Sequence, residues 1–275
     1  RFISSAPGKL SLKVPRGYEI VPATLTGLAP PPAGARQTPW LRQPARDWFE
    51  AFPVGNGRLG GMVFGGVAHE HIQLNEDTLW TGGPHCYDNP EALSHLAEVR
   101  RLIADGEFAM ALAVADKHMI GIPKSQQSYQ TLGDLWIELA DHEQAADYRR
   151  ELNMQTAVAR VDYRIGDARF TREVFVSHPD QVMVVRLTCD KPGRIVGIVT
   201  LDSPHTCETV AVDDHTLRMF GQMGSHGGGS LLGKYDGEGL KFEARVRVRH
   251  EGGGLSADGD AIEIKQADAL TLIYT

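Results

Sequence analysis

The chain has 275 residues, of which 42% are hydrophobic and 23% are charged, a composition typical of a folded globular chain and not of a disordered, coiled-coil or collagen-like one. Its 28 Lys and Arg residues are outnumbered by 35 Asp and Glu residues, a formal balance of −7, which argues against a broad basic face for nucleic acid. No stretch approaches the roughly 20 apolar residues that span a bilayer, and no apolar block of a secretory leader follows Arg1. We therefore expect neither a nucleic-acid nor a membrane partner.

Cysteine usage gives little information about the compartment. Cys86, Cys189 and Cys207 are far apart and form no C-x-x-C pair, so zinc or redox chemistry is not expected. We interpret them as buried or incidental thiols, with one disulfide and a spare thiol as the alternative. The localisation stays unknown, and no cofactor is predicted.

The first predicted segments are a leader and a β-hairpin. Residues 1–39 are rich in proline without periodicity, which predicts a disordered leader or linker, with ordered structure from Trp40. Between residues 52 and 66, the pair Asn56-Gly57 lies between two short apolar pieces and predicts a hairpin turn. Ile72 and Leu74 then alternate with polar residues as in a strand, and a loop is expected from Asn75.

Two helices are predicted next. Asn89 and Pro90 are typical of a helix start, and Gly106 of a stop. The expected apolar faces are Leu93, Leu96, Val99 and Ile103 in the first helix and Phe108, Ala111, Leu112, Ala115 and Met119 in the second. This spacing predicts an αα-hairpin packed on a larger body.

After Leu135 the hydrophobic period changes to two, which predicts strands over 159–165, 169–176, 181–188, 194–201, 240–249, 261–265 and 269–274. The run Val182–Val185 predicts burial on both faces. The regular spacing indicates a mainly β fold, a large antiparallel β-sandwich with an inserted α-helical hairpin. Because the final strand is still running at Thr275, we expect a truncated domain.

Several motifs are rejected as reactive sites. Gly228–Lys234 has phosphate-loop spacing, but Tyr235 replaces the hydroxyl residue, so Gly224–Gly239 is interpreted as a loop. His69, Glu70 and His71 are interpreted as solvated turn residues, because neighbouring side chains of an extended segment point to opposite faces. His95 and His118 lack partners at ligand spacing, so no metal site is predicted. Arg245, Arg247 and Arg249 are assigned to the wet face of a sheet.

Glycoside cleavage requires two carboxyl-type groups placed across a sugar, and the sequence cannot measure that separation. Glu76, Asp77 and Asp88 flank turns near Trp80, which places acceptors beside an aromatic ring. The alternative is that these acceptors satisfy local backbone donors and that Trp80 closes the end of the sandwich.

Longer stretches resemble a known family. The string PVGNGRLGGMVFGGVAHEHIQLNEDTLWTGGP (53–84) is similar to the opening signature of glycoside hydrolase family 95, the inverting 1,2-α-L-fucosidases. The segments NPEALSHLAEVRRLIADGEF (89–108), MIGIPKSQQSYQTLGDLWIEL (119–139), YRRELNMQTAVARVDY (148–163) and FTREVFVSHPDQVMVVRLTCDKPG (170–193) resemble later segments of that family in order. The resemblance covers residues 40–275.

The resemblance implies that residues 40–275 are the unusually large N-terminal β-sandwich domain (supersandwich) of such an enzyme, truncated before an (α/α)6 barrel. In the family a glutamate is the general acid, and asparagine and aspartate activate the attacking water; all belong to the barrel. We therefore assign no catalytic residue to this chain and expect it to be inactive alone. The expected partners are the missing barrel and, through the parent enzyme, a fucosylated glycan; the parent is expected to be secreted or periplasmic.

A rim loop, Asn75–Trp80, is the candidate for contact with substrate at the mouth of the barrel. Its candidate residues are Asn75, Glu76, Asp77, Thr78 and Trp80. The alternative function is a standalone carbohydrate-binding or interaction module, and a third hypothesis is a gene fragment without function. The barrel-supporting hypothesis predicts an exposed apolar docking surface and self-association, whereas the module predicts a closed surface.

Overall fold

Two β-sheets packed face to face form the body of the molecule in the computed structural model, which describes residues 23–27, 29–30, 37–83, 86–122, 124, 127–223 and 239–275. One sheet has ten strands and the other has seven. The mainly β sandwich predicted from the alternating sequence is confirmed.

The strands of the ten-stranded sheet are β1 (Thr24–Thr26), β2 (Trp40–Leu41), β7 (Gln144–Asn153), β8 (Val158–Ile165), β9 (Ala168–Ser177), β10 (Val182–Cys189), β12 (Cys207–Asp213), β13 (Thr216–Gln222), β14 (Lys241–Glu251) and β17 (Ala269–Tyr274). Those of the seven-stranded sheet are β3 (Phe52–Gly55), β4 (Leu59–Val63), β5 (His69–Glu76), β6 (Gly133–Leu139), β11 (Ile195–Asp202), β15 (Gly254–Asp258) and β16 (Ala261–Ala267). The strand order of the larger sheet is β1-β7-β8-β9-β10-β17-β14-β13-β12, with β2 also paired to β7. The strand order of the smaller sheet is β15-β16-β11-β6-β5-β4-β3. Within the predicted leader, β1 pairs in parallel with β7, so this piece belongs to the sheet. Most of the leader and of the predicted loop Gly224–Gly239 lies outside the described residues.

The interior between the sheets follows the period of two. In β14, Phe242, Ala244, Val246 and Val248 are buried, and the residues between them are exposed. The arginines of this strand therefore lie on the wet face as predicted, and Arg245 pairs there with Glu243 at 2.6 Å. The prediction that Val182–Val185 is buried on both faces is wrong, because only Met183 and Val185 of that run point into the core.

One buried ion pair lies within this interior. Glu70 of β5 and Arg172 of β9 are both fully buried and contact each other across the two sheets. Glu70 also accepts a hydrogen bond from the Gly65 amide at 2.9 Å, and Arg172 donates to the Gly66 carbonyl. Burial raises the pKa of the Glu70 carboxyl, while the charge of Arg172 acts in the opposite direction. The prediction that Glu70 is a solvated turn residue is therefore wrong.

The helices α1 (Ala92–Ala104) and α2 (Phe108–His118) form the predicted hairpin. Helix α1 begins later than expected. The Asn89 side chain accepts a hydrogen bond from the Glu91 amide at 3.0 Å, but Glu91 occupies the N-cap position and its side chain makes no capping hydrogen bond. Among the described residues, the hairpin has its own small core, separate from the core between the sheets. That core consists of Val99, Leu102 and Ala111 with Val114, Ala115 and Met119 packed against it.

The prediction of which apolar residues the two helices bury is only partly correct. Leu93 and Ile103 of α1 and Phe108 and Leu112 of α2 are exposed, because the helices meet along a line that passes through Leu102 instead. None of the described hairpin residues joins the core of the sandwich, so the predicted packing on a larger body is not seen among the described residues. The hairpin thus exposes much of its apolar surface.

The three cysteines are free thiols. Cys86 is exposed, whereas Cys189 and Cys207 are half-buried, and burial raises the pKa of both of these thiols. The disulfide alternative is therefore not formed here. Within the described part of the chain, no helix has the length and apolar character needed to cross a membrane.

Candidate functional site

The rim loop lies where β5 leaves the seven-stranded sheet. Asn75 and Glu76 are still paired with β4, opposite Gly60 and Leu59, so the expected loop starts two residues later than predicted. Asp77 and Thr78 form the exposed turn, and Trp80 makes an isolated antiparallel bridge with Tyr129. The five candidate residues therefore lie together at one edge of the sandwich.

Hydrogen bonds hold this turn in one conformation. The Glu76 carboxylate accepts from the Thr78 amide at 2.8 Å and from the Thr78 hydroxyl at 2.6 Å. The Asp77 amide donates to the Arg58 carbonyl at 3.0 Å, and the Arg58 guanidinium lies 3.5 Å from Glu76. Leu79 anchors the turn in the core. Since Glu76 is engaged by Thr78 and Arg58, its local role is to fix the turn, which agrees with the alternative that these acceptors satisfy local donors.

Two aromatic rings form the accessible part of the site. Trp80 is 41% exposed and Tyr129 is 43% exposed, and their ring centroids lie 5.3 Å apart at an interplanar angle of 63°. The Tyr129 hydroxyl accepts from the side-chain amide of Asn75 and donates to the Glu76 carbonyl at 3.3 Å. A rigid aromatic pair beside amide and carboxylate groups can contact both the apolar face and the hydroxyls of a sugar.

Sequence reasoning missed Tyr129 and Arg58 as members of this site. Tyr129 lies 54 positions after Asn75, and its surroundings in the sequence carry no motif that relates it to the loop. Only the pairing of Trp80 with Tyr129, which depends on the folded chain, brings the two together. Arg58 follows the predicted Asn56-Gly57 turn, so its position at the same sheet edge follows from the β4–β5 pairing.

A second polar and aromatic cluster lies on the outer face of the seven-stranded sheet. The His71 ring is stacked between Phe64 and Trp136, with centroids 4.2 Å and 4.1 Å away. Trp136 donates to Asp202 at 3.1 Å, and burial raises the pKa of the Asp202 carboxyl. His69 and His71 both belong to β5, so their assignment to a solvated turn is wrong. The stack covers both faces of the His71 ring.

A third cluster lies at the base of the helical hairpin. The rings of His95 and His118 stack with centroids 3.9 Å apart, and Glu91 contacts His118 at 2.7 Å. The donor atoms of these three residues lie within 4.8 Å of one another. The prediction that the two histidines lack partners at ligand spacing is therefore wrong. The folding of α1 against α2 brings together residues that are 27 positions apart.

Most of the chain is similar to known proteins. Residues 40–275 match the family model described as "Glycosyl hydrolase family 65, N-terminal domain". The "Alpha-L-fucosidase 2" of Arabidopsis thaliana is 38% identical over 245 residues, which are 84% of this chain and 29% of that protein. The "Probable alpha-fucosidase A" of Aspergillus niger is 30% identical over 249 residues, which are 86% of this chain and 29% of the relative.

A solved structure described as a "Putative kojibiose phosphorylase from human microbiome" matches with a TM-score of 0.34 and 9% identity, over 82% of this chain and 30% of that one. A likeness of this size gives no information about the site.

The chain spans about 29% of the length of both curated relatives. These relatives agree with the resemblance to fucosidases, while the matching model is described under family 65, not under family 95. Because the match runs from residue 40 to residue 275, the chain belongs to the N-terminal domain family of glycosyl hydrolase family 65.

Proposed function

We propose that this chain is the N-terminal, non-catalytic domain of an α-L-fucosidase-type glycoside hydrolase and that it supports a catalytic (α/α)6 barrel. The observation that carries the proposal is the similarity to two fucosidases of which the chain spans only 29%. By resemblance, the parent enzyme hydrolyses α-L-fucosyl linkages with inversion. By the same resemblance, its general acid and its water-activating groups belong to the barrel. Inversion needs two such groups placed across the sugar.

The exposed apolar side chains support a docking role. Phe49 is 89% exposed and lies edge-on to Trp48 in a short 3-10 helix (Trp48–Glu50) before β3. Leu93, Phe108 and Leu112 project from the hairpin. Large aromatic and aliphatic side chains without cover are typical anchors of a protein interface. We propose that the barrel of the same enzyme covers them, because about 71% of each fucosidase relative lies outside the matched region (100% − 29%).

The rim loop is proposed to form part of the mouth of the active site. Asn75, Glu76, Asp77, Thr78 and Trp80 lie at one sheet edge, and their conformation is fixed by the contacts of Glu76 and Tyr129. A preformed polar edge with an aromatic face loses little conformational entropy when a sugar binds. The fucosylated glycan would thus contact this chain only at its rim, while the reaction occurs in the barrel.

The first experiment separates support from catalysis. The chain is expressed alone and in tandem with the part of the Arabidopsis relative that lies outside the matched region. We expect fucose release from an α-1,2-fucosylated oligosaccharide only by the tandem protein. Release by the purified chain alone, abolished by substitution of one of its own carboxylates, would contradict the proposal.

The second experiment tests the rim loop in the active tandem protein. Trp80→Ala is expected to lower kcat/KM about 3- to 10-fold, which corresponds to about 0.7–1.4 kcal/mol. Trp80→Phe retains an aromatic face and should lower kcat/KM by a smaller factor. The control is Trp136→Phe, which changes the ring that stacks on His71. An unchanged kcat/KM in Trp80→Ala would show that the loop only closes the end of the sandwich.

Experiments on the chain alone also distinguish the supporting domain from the standalone binding module. A monomer that binds fucose in calorimetric titration would favour the module, whereas self-association without fucose binding would favour the supporting domain. Light scattering coupled to gel filtration measures the oligomeric state.

A further inference from the structure

The hairpin joins the sandwich at a narrow neck where its two ends meet. The Ile122 amide donates to the Tyr87 carbonyl at 3.0 Å, and the Asn89 side chain donates to the Ile120 carbonyl at 3.0 Å. Glu91 directly precedes α1, His95 lies in its first turn, and His118 is the last residue of α2. Antiparallel packing of the helices therefore places these three side chains together above the neck.

Small side-chain rotations would bring the possible ligand atoms of Glu91, His95 and His118 to the distances of a metal site. They lie within 4.8 Å of one another, whereas the ligand atoms of a tetrahedral zinc site are about 3.4 Å apart when the bonds are about 2.0–2.2 Å. The Glu91 side chain is 61% exposed, so it can rotate without disturbing the core. The two imidazole rings stack within 16° of parallel, so one ring must turn before a nitrogen lone pair from each ring points to the same ion.

We propose that Glu91, His95 and His118 form a site for a divalent transition-metal ion, with Zn²⁺ as the best fit. Two imidazole nitrogens and one carboxylate oxygen suit Zn²⁺ and its neighbours in the first transition row, and not Ca²⁺ or Mg²⁺, which take all-oxygen sites. A fourth position is left for water. Glu98 lies 3.2 Å from the Nδ1 atom of His95, and this contact orients the ring so that Nε2 is the ligand atom.

The role of the ion would be structural. The hairpin has only a small core, and at its base it joins the strands on both sides. A metal bridge from the start of α1 to the end of α2 would fix the base and thereby the direction in which the exposed apolar residues point. This inference does not depend on the proposed fucosidase function, because it concerns only residues of this chain.

Calorimetric titration of ZnCl₂ into the whole chain at pH 7.5 tests the site. We expect one equivalent to bind. His95→Ala and His118→Ala should each weaken binding at least tenfold, and Glu91→Gln should weaken it by a smaller factor. The matched control is the double variant His215→Ala/His250→Ala, which removes another stacked histidine pair, with centroids 5.9 Å apart, and should leave binding unchanged.

Two further measurements identify the side chains that hold the ion. Cys86→Ser removes the exposed thiol nearest in sequence to the hairpin and should keep full Zn²⁺ affinity. Co²⁺ bound in place of Zn²⁺ should give the visible absorption of a four-coordinate site, and this band should disappear in His118→Ala, whose fold is checked by circular dichroism. Failure of Zn²⁺ to bind, or binding that survives both histidine substitutions, would overturn the proposal.

Discussion

The interior of the sandwich and the interior of the hairpin differ in size and in what they leave uncovered. Between the sheets, residues from most strands are buried in one continuous core, and even Glu70 and Arg172 are inaccessible to water. Between the helices, only Val99, Leu102 and Ala111 are buried, and several larger apolar residues face outward. The sandwich is therefore stabilised by a large continuous core, whereas the helices of the hairpin share only a small one.

The largest effect is expected from the buried ion pair. Arg172→Met leaves the Glu70 carboxylate buried without its partner, which should lower the free energy of unfolding by about 3–5 kcal/mol. The measurement is urea denaturation followed by circular dichroism. The double variant Glu70→Leu/Arg172→Met removes both charges and should lose less than the sum of the single losses. A loss below about 1 kcal/mol in Arg172→Met would mean that the pair is not isolated from water.

A pH effect of slightly smaller size is expected from His142, which is buried beside Tyr163 at 3.0 Å. Burial lowers the pKa of His142 to about 4, below the usual value of about 6.5. The unfolded chain therefore binds a proton between these values that the folded chain does not. This contribution to stability is complete above about pH 6.5 and is lost as the pH falls towards 4, by up to about 3 kcal/mol.

Urea titrations at several pH values measure that loss. His142→Gln should flatten the pH dependence between pH 4 and 6.5, whereas the exposed His178→Gln should retain it. If the stability of His142→Gln changes with pH as that of the unsubstituted chain does, the acid sensitivity has another source.

The hairpin should respond locally. Leu102→Ala removes much of its small core and is expected to lower the free energy of local opening by roughly 2 kcal/mol. Hydrogen exchange followed by mass spectrometry should show lost protection over α1 and α2 with the strands unchanged. In contrast, Leu135→Ala in the sandwich should reduce protection in both sheets. A global loss of protection in Leu102→Ala would contradict the separation of the two cores.

The smallest effect on stability is expected at the exposed apolar residues. Phe108→Ser/Leu112→Ser should change the free energy of unfolding of the sandwich by less than about 0.5 kcal/mol. If the chain self-associates as proposed, the double variant should do so less, as measured by light scattering. Arg100→Ser, at an exposed polar position of α1, serves as the control. Undiminished self-association would place the associating surface elsewhere, with Trp48 and Phe49 as the next residues to replace.

The sequence predicted the architecture well where one face of a strand meets water. In β14 the alternation of Phe242 and Val246 with arginines fixes both the strand and its buried face. It failed at Val182–Val185, because β-branched residues also fill half-exposed positions of a sheet. In the hairpin, the position of the helix contact depends on how two helices cross, so Leu93 could not be told from Leu102 by spacing alone.

The candidate site was predictable only in part. The turn after β5 was expected from Asn75, Asp77 and Thr78, but the aromatic partner of Trp80 is distant in sequence and was not expected. The histidine cluster could have been inferred, because a predicted antiparallel hairpin places the start of α1 beside the end of α2. Spacing along the sequence does not show that His95 and His118 are close, because the fold of the hairpin brings them together.

The joined ends of the hairpin also make it a modular insertion. Because Tyr87 and Ile122 are hydrogen-bonded to each other, a short linker could replace everything between them while the pairing of β5 with β6 kept its register. Lengthening, shortening or exchanging this appendage would alter the outline that the domain presents to its surroundings without rebuilding the scaffold. New segments can thus be grafted between Tyr87 and Ile122 without a change in the pairing of β5 with β6.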